Sequence, residues 1–323
     1  MQLPQDVFEA CVARAALAPT VHNTQPARWV RDGEVVSLFC DTDVGLKIGD
    51  PTGRDAALSC GAVLEGMVLA LSAAGYGANV TLTGDNTAPS QGLVAVAHLT
   101  LSKGPQDGLH NLLEDRFTWR GSFAPEPLQL FGWTRSDTRL VLDDPSRAFL
   151  AERNDWASEQ IMQDAGFRRE LVGWMRLSDR HPRAGRDGMD RAAMRMSRFE
   201  GFMAPLVLVK FWSILKRLGQ TRSLTAEREV TLTAPVIALF HRDLNEDPVE
   251  SGRAYLRLCL EAASLGLAGW PMAALSDNNQ TNQACCEHFG IAADRRLVQV
   301  IRFGKPTGPA PARARRPLSE VLR

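Results

Sequence analysis

Two long helices, apolar on nearly every side and set between short strand-like runs, predict an α+β fold. The first helix reads from about Arg54 to Ala74 and the second from Ser251 to Leu265, with Gly75 and Gly266 ending them. Helices of that composition are buried in a core. The third observation is an echo between them. Gly61 precedes Gly75 by fourteen residues, Gly252 precedes Gly266 by the same interval, and Leu69 matches Leu260. On residues alone, the echo fits either a duplicated half or a chance likeness between two buried helices.

The elements follow in order. Gln5 to Leu17 has helical spacing and stops at Pro19, because proline disfavours helix in the residue before it. The next segment, Ala18-Pro19-Thr20-Val21-His22-Asn23-Thr24-Gln25-Pro26, is a stiff loop between two prolines. It carries Thr20, His22, Asn23 and Gln25 together, which suits either an ordinary capping turn or the edge of a flat heteroaromatic ligand. Trp29-Val30 and Val35 to Cys40 read as strands about the turn Arg31-Asp32-Gly33-Glu34. Asp50-Pro51-Thr52-Gly53 starts the first long helix, and strands follow at Ala78 to Leu82 and Leu93 to Leu101.

In the second half, Ala234 to Phe240 reads as a strand before the second long helix. Cys285 and Cys286 fall in a short helix from about Thr281, Val298 to Phe303 is a closing strand, and Pro306 to Pro317 is an irregular tail. Met189 to Arg222 is basic and amphipathic, with Met194, Met196, Phe199, Phe202 and Met203 among arginines. That composition fits a helical lid over a ligand or a membrane-surface segment.

Composition narrows the function. The 323 residues carry 37 basic and 37 acidic side chains, so bulk charge argues against a nucleic-acid footprint. The six cysteines form no C-x-x-C, and the N-terminus has no basic region leading into an apolar run. Both features point to a reduced, cytoplasmic protein. The apolar run from Ala204 to Leu215 is too short to span a bilayer, so no stable membrane insertion is expected. Scattered histidines give no metal-ligand spacing. Gly75-x-Gly77 follows a helix and lacks the third glycine of a dinucleotide fingerprint.

Several motifs carry a family resemblance. Pro19-Thr20-x-x-Asn23-Thr24-Gln25-Pro26 resembles the flavin-ring loop of FMN-dependent nitroreductases, with Ala27 in place of the usual tryptophan. Arg116-Phe117-Thr118-Trp119-Arg120 is similar to their phosphate motif, with Phe117 replacing a second arginine. Leu265 to Ala274 resembles the loop that passes the flavin N5. Asp50-x-x-Gly53-Arg54-Asp55-Ala56, Cys60-Gly61-Ala62-Val63-Leu64 and the tail Arg315-Arg316-Pro317-Leu318 look like the Acg-like branch, which resembles a nitroreductase dimer fused into one chain.

The resemblance implies a pseudo-dimeric, α+β nitroreductase-like fold with two tandem halves, 1–105 and 106–323, each with a mainly antiparallel sheet flanked by helices, and a helical lid insertion at about 182–226. It implies one FMN, its ring edged by Pro19, Thr20, His22, Asn23 and Gln25. Its phosphate would be held by Arg116, Thr118, Arg120, Arg316 and Arg315, and its N5 would lie near Pro271, Met272, Ala273 and Ala274. No side chain is expected to act as general acid or nucleophile. NAD(P)H would reduce the flavin, and a small aromatic or quinone-like molecule would accept the electrons. The chain is expected as a monomeric pseudo-dimer or a weak homodimer. The same branch also admits an FMN-storage protein with a covered flavin, and the superfamily contains flavin-fragmenting enzymes.

Overall fold

The computed structural model describes residues 3–83, 92–126, 128, 130 and 132–323; Met1 and Gln2, which entered the reading of the N-terminus, lie outside the described residues. Helix α1 (Gln5–Ala15) leads into the proline-bounded loop, and then into the hairpin β1 (Ala27–Asp32) and β2 (Val35–Asp41). Helix α2 (Arg54–Ala73) begins where Asp50 Oδ2 accepts the Ala56 N–H at 2.9 Å, which satisfies a donor that the first turn leaves free. It ends at Gly75, whose φ of 83° lies in the left-handed region that only glycine adopts at little cost. Strands β3 (Tyr76–Leu82) and β4 (Leu93–Lys103) complete an antiparallel sheet of order β1-β2-β4-β3.

Strand β5 (Thr138–Val141) opens a second sheet. A long excursion follows before the next strand of that sheet. It contains helices α3 (Asp144–Ile161) and α4 (Ala165–Gly173), and a short parallel pair, β6 (Met175–Arg176) and β7 (Met189–Asp190). Helices α5 (Arg198–Pro205), α6 (Trp212–Arg217), α7 (Thr221–Thr225) and α8 (Arg228–Thr233) complete it, with the π-helical turn Leu206–Phe211 joining α5 to α6. The chain then runs through β8 (Val236–Asp243), α9 (Pro248–Ser264), β9 (Ala268–Pro271), α10 (Ala273–Asp277), α11 (Asn279–Phe289), β10 (Arg295–Gly304) and α12 (Leu318–Val321). The second sheet has the order β5-β8-β10-β9 and is antiparallel throughout.

The two sheets therefore repeat one topology, and this is an α+β fold of two like halves. Strands β1, β2, β4 and β3 correspond to β5, β8, β10 and β9, with α2 and α9 in equivalent places. In the first half a tight turn at Gly33 joins the two leading strands, whereas in the second the whole stretch 144–233 intervenes. The extra chain is thus longer than an insertion at 182–226 and begins with α3.

The echo of glycines has a physical reason. A Cβ on Gly61 would lie 2.0 Å from the Val249 carbonyl oxygen, and one on Gly252 would lie 2.1 Å from that of Leu58. Each helix thus brings its glycine against the other's backbone at equivalent places. This reciprocity marks an interface related by a two-fold axis. Leu69 and Leu260 are both fully buried in the core this crossing creates. Beside it the buried Glu65 carboxylate accepts from Arg253 at 2.8 Å and Arg257 at 2.6 Å, which fixes the register of α2 on α9. Among the described residues, α2 alone is long and apolar enough to cross a bilayer, but 72% of that window is buried in this core.

Candidate functional site

The proline-bounded loop is strained. His22, Asn23 and Gln25 have φ values of 43°, 56° and 54°, a region that costs non-glycine residues about 1 kcal/mol or more each. Such backbone persists only where its surroundings over-determine it. Beneath it lies Arg28, almost fully buried, which donates to the Gln25 and Ala27 carbonyls at 2.8 Å each and pairs with Asp41 at 2.8 Å. Arg28 thus supports the loop where Ala27 offers no bulky ring. Ser59, in the first half of α2, accepts the Val21 N–H at 3.0 Å, and Thr20 Oγ1 accepts that of Gln25 at 3.2 Å.

Distant chain closes over the loop from the other side. Asn23 Nδ2 donates to the carbonyls of Gly188 (3.0 Å) and Ala314 (3.2 Å), while Gln25 Nε2 donates to that of Arg186 at 2.8 Å. Gln25 Oε1 accepts the Arg316 N–H at 2.9 Å. The amides of Asn23 and Gln25 therefore hold the loop, the tail and residues 185–188 together. Thr20 and His22 keep polar groups for other use. Burial, with Arg120 adding to the effect and Glu170 opposing it, pushes the His22 imidazole down to about 4, so it is neutral at physiological pH.

The arginines divide sharply. Arg316 is paired with Asp187 at 2.7 Å and Glu320 at 3.2 Å, so its charge is compensated. Asp187 also pairs with Arg176 and Arg183, at 3.0 and 2.8 Å, and forms the hub of the cover. Arg116, Arg313 and Arg315 have no carboxylate partner among the described residues. Arg116 and Arg315 both donate to the Leu17 carbonyl at 3.1 Å, and Arg315 also donates to Asn23 Oδ1 at 3.2 Å. Arg313 donates to the Arg116 carbonyl at 3.0 Å. The buried Nε atoms of Arg116 and Arg315 have no acceptor. Burial, then repulsion from Arg116 and Arg313, pushes Arg315 down to about 9; burial also lowers Arg116. Three adjacent uncompensated guanidinium groups are costly unless an anion joins them.

The remaining candidates lie alongside. Thr118 bridges Gly269, and the Trp119 N–H donates to the Gly269 carbonyl at 3.1 Å, which sets residues 116–120 against β9. Arg116, Thr118 and Pro271 line a small cavity of ≈ 10 Å³ together with Tyr255 and Cys259. Phe117, in the place of a second arginine, packs edge-on to Trp119. Arg120 donates to the Ala193 carbonyl at 3.3 Å and burial lowers its pKa. Met272 is buried, with its N–H on the Val300 carbonyl at 2.7 Å, and Ala273 and Ala274 open α10. No hydrogen bond among the described residues joins those alanines to the loop. They connect through α2, where Arg54 reaches Asp277 at 3.1 Å.

Arg28, Ser59 and the segment Gly185-Arg186-Asp187-Gly188 were not singled out as site residues from the sequence. The last has a usable signal: two glycines three apart, both at positive φ, with a Cβ on Gly188 only 2.4 Å from the Trp174 carbonyl oxygen.

No family model matches the chain. Over 185 residues it is 34% identical to a putative NAD(P)H nitroreductase, acg, of Mycobacterium tuberculosis, covering 52% of this chain and 54% of the relative. The chain is therefore similar over about half its length to an Acg-like putative nitroreductase. A second putative NAD(P)H nitroreductase of the same organism is 44% identical over 66 residues, 20% of this chain and 19% of that one. The chain thus spans about half the length of the first of these relatives and about a fifth of the second. Among solved structures, the FMN-dependent nitroreductase NfnB from Mycobacterium smegmatis in complex with NADPH aligns over 66% of this chain and 96% of its own, at 21% identity and a TM-score of 0.38.

Proposed function

We propose that this chain is an FMN-dependent NAD(P)H oxidoreductase of nitroreductase type, acting on a small aromatic or quinone-like acceptor. The observation that carries the reading is the trio Arg116, Arg313 and Arg315, uncompensated and adjacent to the strained loop where the two halves meet. A phosphate dianion fits this trio: it supplies the missing charge, and its oxygens offer acceptors to the orphaned Nε atoms of Arg116 and Arg315. When bound, FMN supplies hydride transfer between nicotinamide and acceptor.

The chain's own residues bind and orient. Arg116, Arg313 and Arg315 neutralise the phosphate, with Thr118 beside them. Arg316 positions the tail through Asp187. His22, neutral and held beside Arg120, keeps hydrogen-bonding nitrogens at the ring loop without adding charge, while Arg120 contributes a positive field. The backbone of Ala273 and Ala274 is the candidate for the N5 side, on the family resemblance. The ring loop comes from the first half and the phosphate arginines from the second, so one chain completes one site. In this reading residues 1–105 and 106–323 are two fused nitroreductase-like halves.

A specific observation also favours a storage role. Residues 185–193 are bonded across the ring loop, the tail and Arg120, and so form a cover already closed. Anaerobic mixing of the FMN-loaded protein with NADPH or NADH separates the readings. Fast loss of flavin absorbance supports the reductase, and bound flavin that stays oxidised supports storage. Destruction of the flavin under oxygen supports fragmentation.

A further inference from the structure

Helices α5 and α6, with the π-helical turn between them, form one continuous rod over residues 198–217, roughly 30 Å long at helical rise. Its inner face is fixed. Leu208 and Trp212 are buried against Met175 and Met189, and Arg168 donates to the Leu208 carbonyl at 2.8 Å while lying over the Trp212 ring. Its outer face is apolar as well. Phe199 and Phe202 are 72% and 70% exposed, Ile214 and Leu218 are 54% and 65% exposed, and Phe211 is also exposed. Phe199 and Phe202 are three residues apart, and Phe211, Ile214 and Leu218 follow at three and four, the spacings that share one side of a helix. Large side chains gathered in this way mark an interaction surface.

The charges around the patch are one-sided. From residue 191 to 226 there are seven basic residues and a single acid, Glu200. Glu200 is already engaged by the Ser197 backbone N–H in a capping box. Arg198, Lys210, Lys216, Arg217 and Arg222 are exposed and form no ion pair among the described residues.

We propose that the rod is a peripheral membrane-docking face, lying in the headgroup layer of an anionic bilayer with Phe199, Phe202, Phe211, Ile214 and Leu218 immersed. The occupant follows from the charge and the shape. A second copy related by a two-fold axis would bring like charges against one another. An acidic protein would complement the cations, but a convex row of five apolar side chains along a rod offers no groove for a peptide. A lipid surface supplies both the anionic layer and the apolar phase beneath it. The inference is independent of the flavin reading.

The test is co-sedimentation of the purified full chain with phosphatidylcholine vesicles, with and without about one third phosphatidylglycerol. Binding is expected to the anionic vesicles and to weaken as salt is raised. The variant Phe199→Ser/Phe202→Ser/Leu218→Ser should bind roughly tenfold or more weakly. Its melting temperature should be unchanged, since the replaced side chains are exposed. Lys216→Gln/Arg217→Gln should flatten the salt dependence. Failure of the wild-type chain to bind anionic vesicles overturns the proposal, as does binding that the serine variant leaves intact. A wild-type dimer in light scattering that the serine variant dissociates would assign the face to a second copy and also overturn it.

Discussion

Replacing Arg315 with glutamine should leave the flavin-free chain at least as stable as the parent while weakening FMN. Burial and two neighbouring guanidinium groups hold Arg315 down at about 9, well below its ordinary range. At neutral pH the group is charged in both folded and unfolded chains, so the penalty is fully present in the folded state. At about 1.4 kcal/mol per pH unit it amounts to ~4–5 kcal/mol at most. Against this stand the bonds that Arg315 gives Leu17 and Asn23, about 1 kcal/mol each. The net expectation for Arg315→Gln without flavin is a gain of about 1–3 kcal/mol, a rise of roughly 2–5 °C in melting temperature. With ligand the sign reverses. Losing one charge-assisted contact to phosphate costs about 1.5–3 kcal/mol, or ~10- to 150-fold in FMN affinity. Riboflavin, which lacks the phosphate, should change less than about threefold. Apoprotein titrations with both flavins, beside thermal melts, read this out. A destabilised apoprotein, or equal losses for FMN and riboflavin, would refute the argument.

Three further outcomes are expected. The His22 imidazole sits near 4 in the fold, so the unfolded chain takes up its proton first on acidification. The contribution is intact above about pH 6.5 and is lost as pH falls towards 4, by up to ~3 kcal/mol, so His22→Asn should flatten a denaturant-midpoint profile over that window. Gly61→Ala and Gly252→Ala should each destabilise by about 3 kcal/mol or more, because the added methyl meets a carbonyl near 2 Å away. Equal losses in the two are the mark of the pseudo-two-fold axis, and a mild effect in either would count against it. Glu65→Gln leaves Arg253 and Arg257 without their buried partner and should cost about 2–4 kcal/mol in chemical denaturation.

Much of the frame was legible because it is local. The hairpin at Gly33, the apolar α2 ended by Gly75, and the matched Gly61 and Gly252 are all written in short-range pattern. The glycines carried more than pattern could say: their spacing hinted at repetition, but only the crossing of α2 on α9 explains it. The proline-bounded loop and the arginine motif were readable as segments, whereas which arginines carry a compensating carboxylate was not. Arg316 is among the residues expected on the phosphate, yet Asp187, more than a hundred residues away, compensates it, while Arg313 and Arg315 have no carboxylate partner among the described residues. The cover at Gly185 to Gly188 reaches Asn23 and Gln25 across more than 160 residues, a pairing that no periodicity encodes. Strands β5, β6 and β7 have four, two and two residues, too short for alternation to emerge.

In the proposed function a single flavin site is completed by both halves of one chain. It is tested most directly by titrating apoprotein of known concentration with FMN and counting bound equivalents by equilibrium dialysis. One FMN per chain is expected, lost when Arg116 and Arg315 are both replaced by glutamine. Two equivalents, or none, would contradict it.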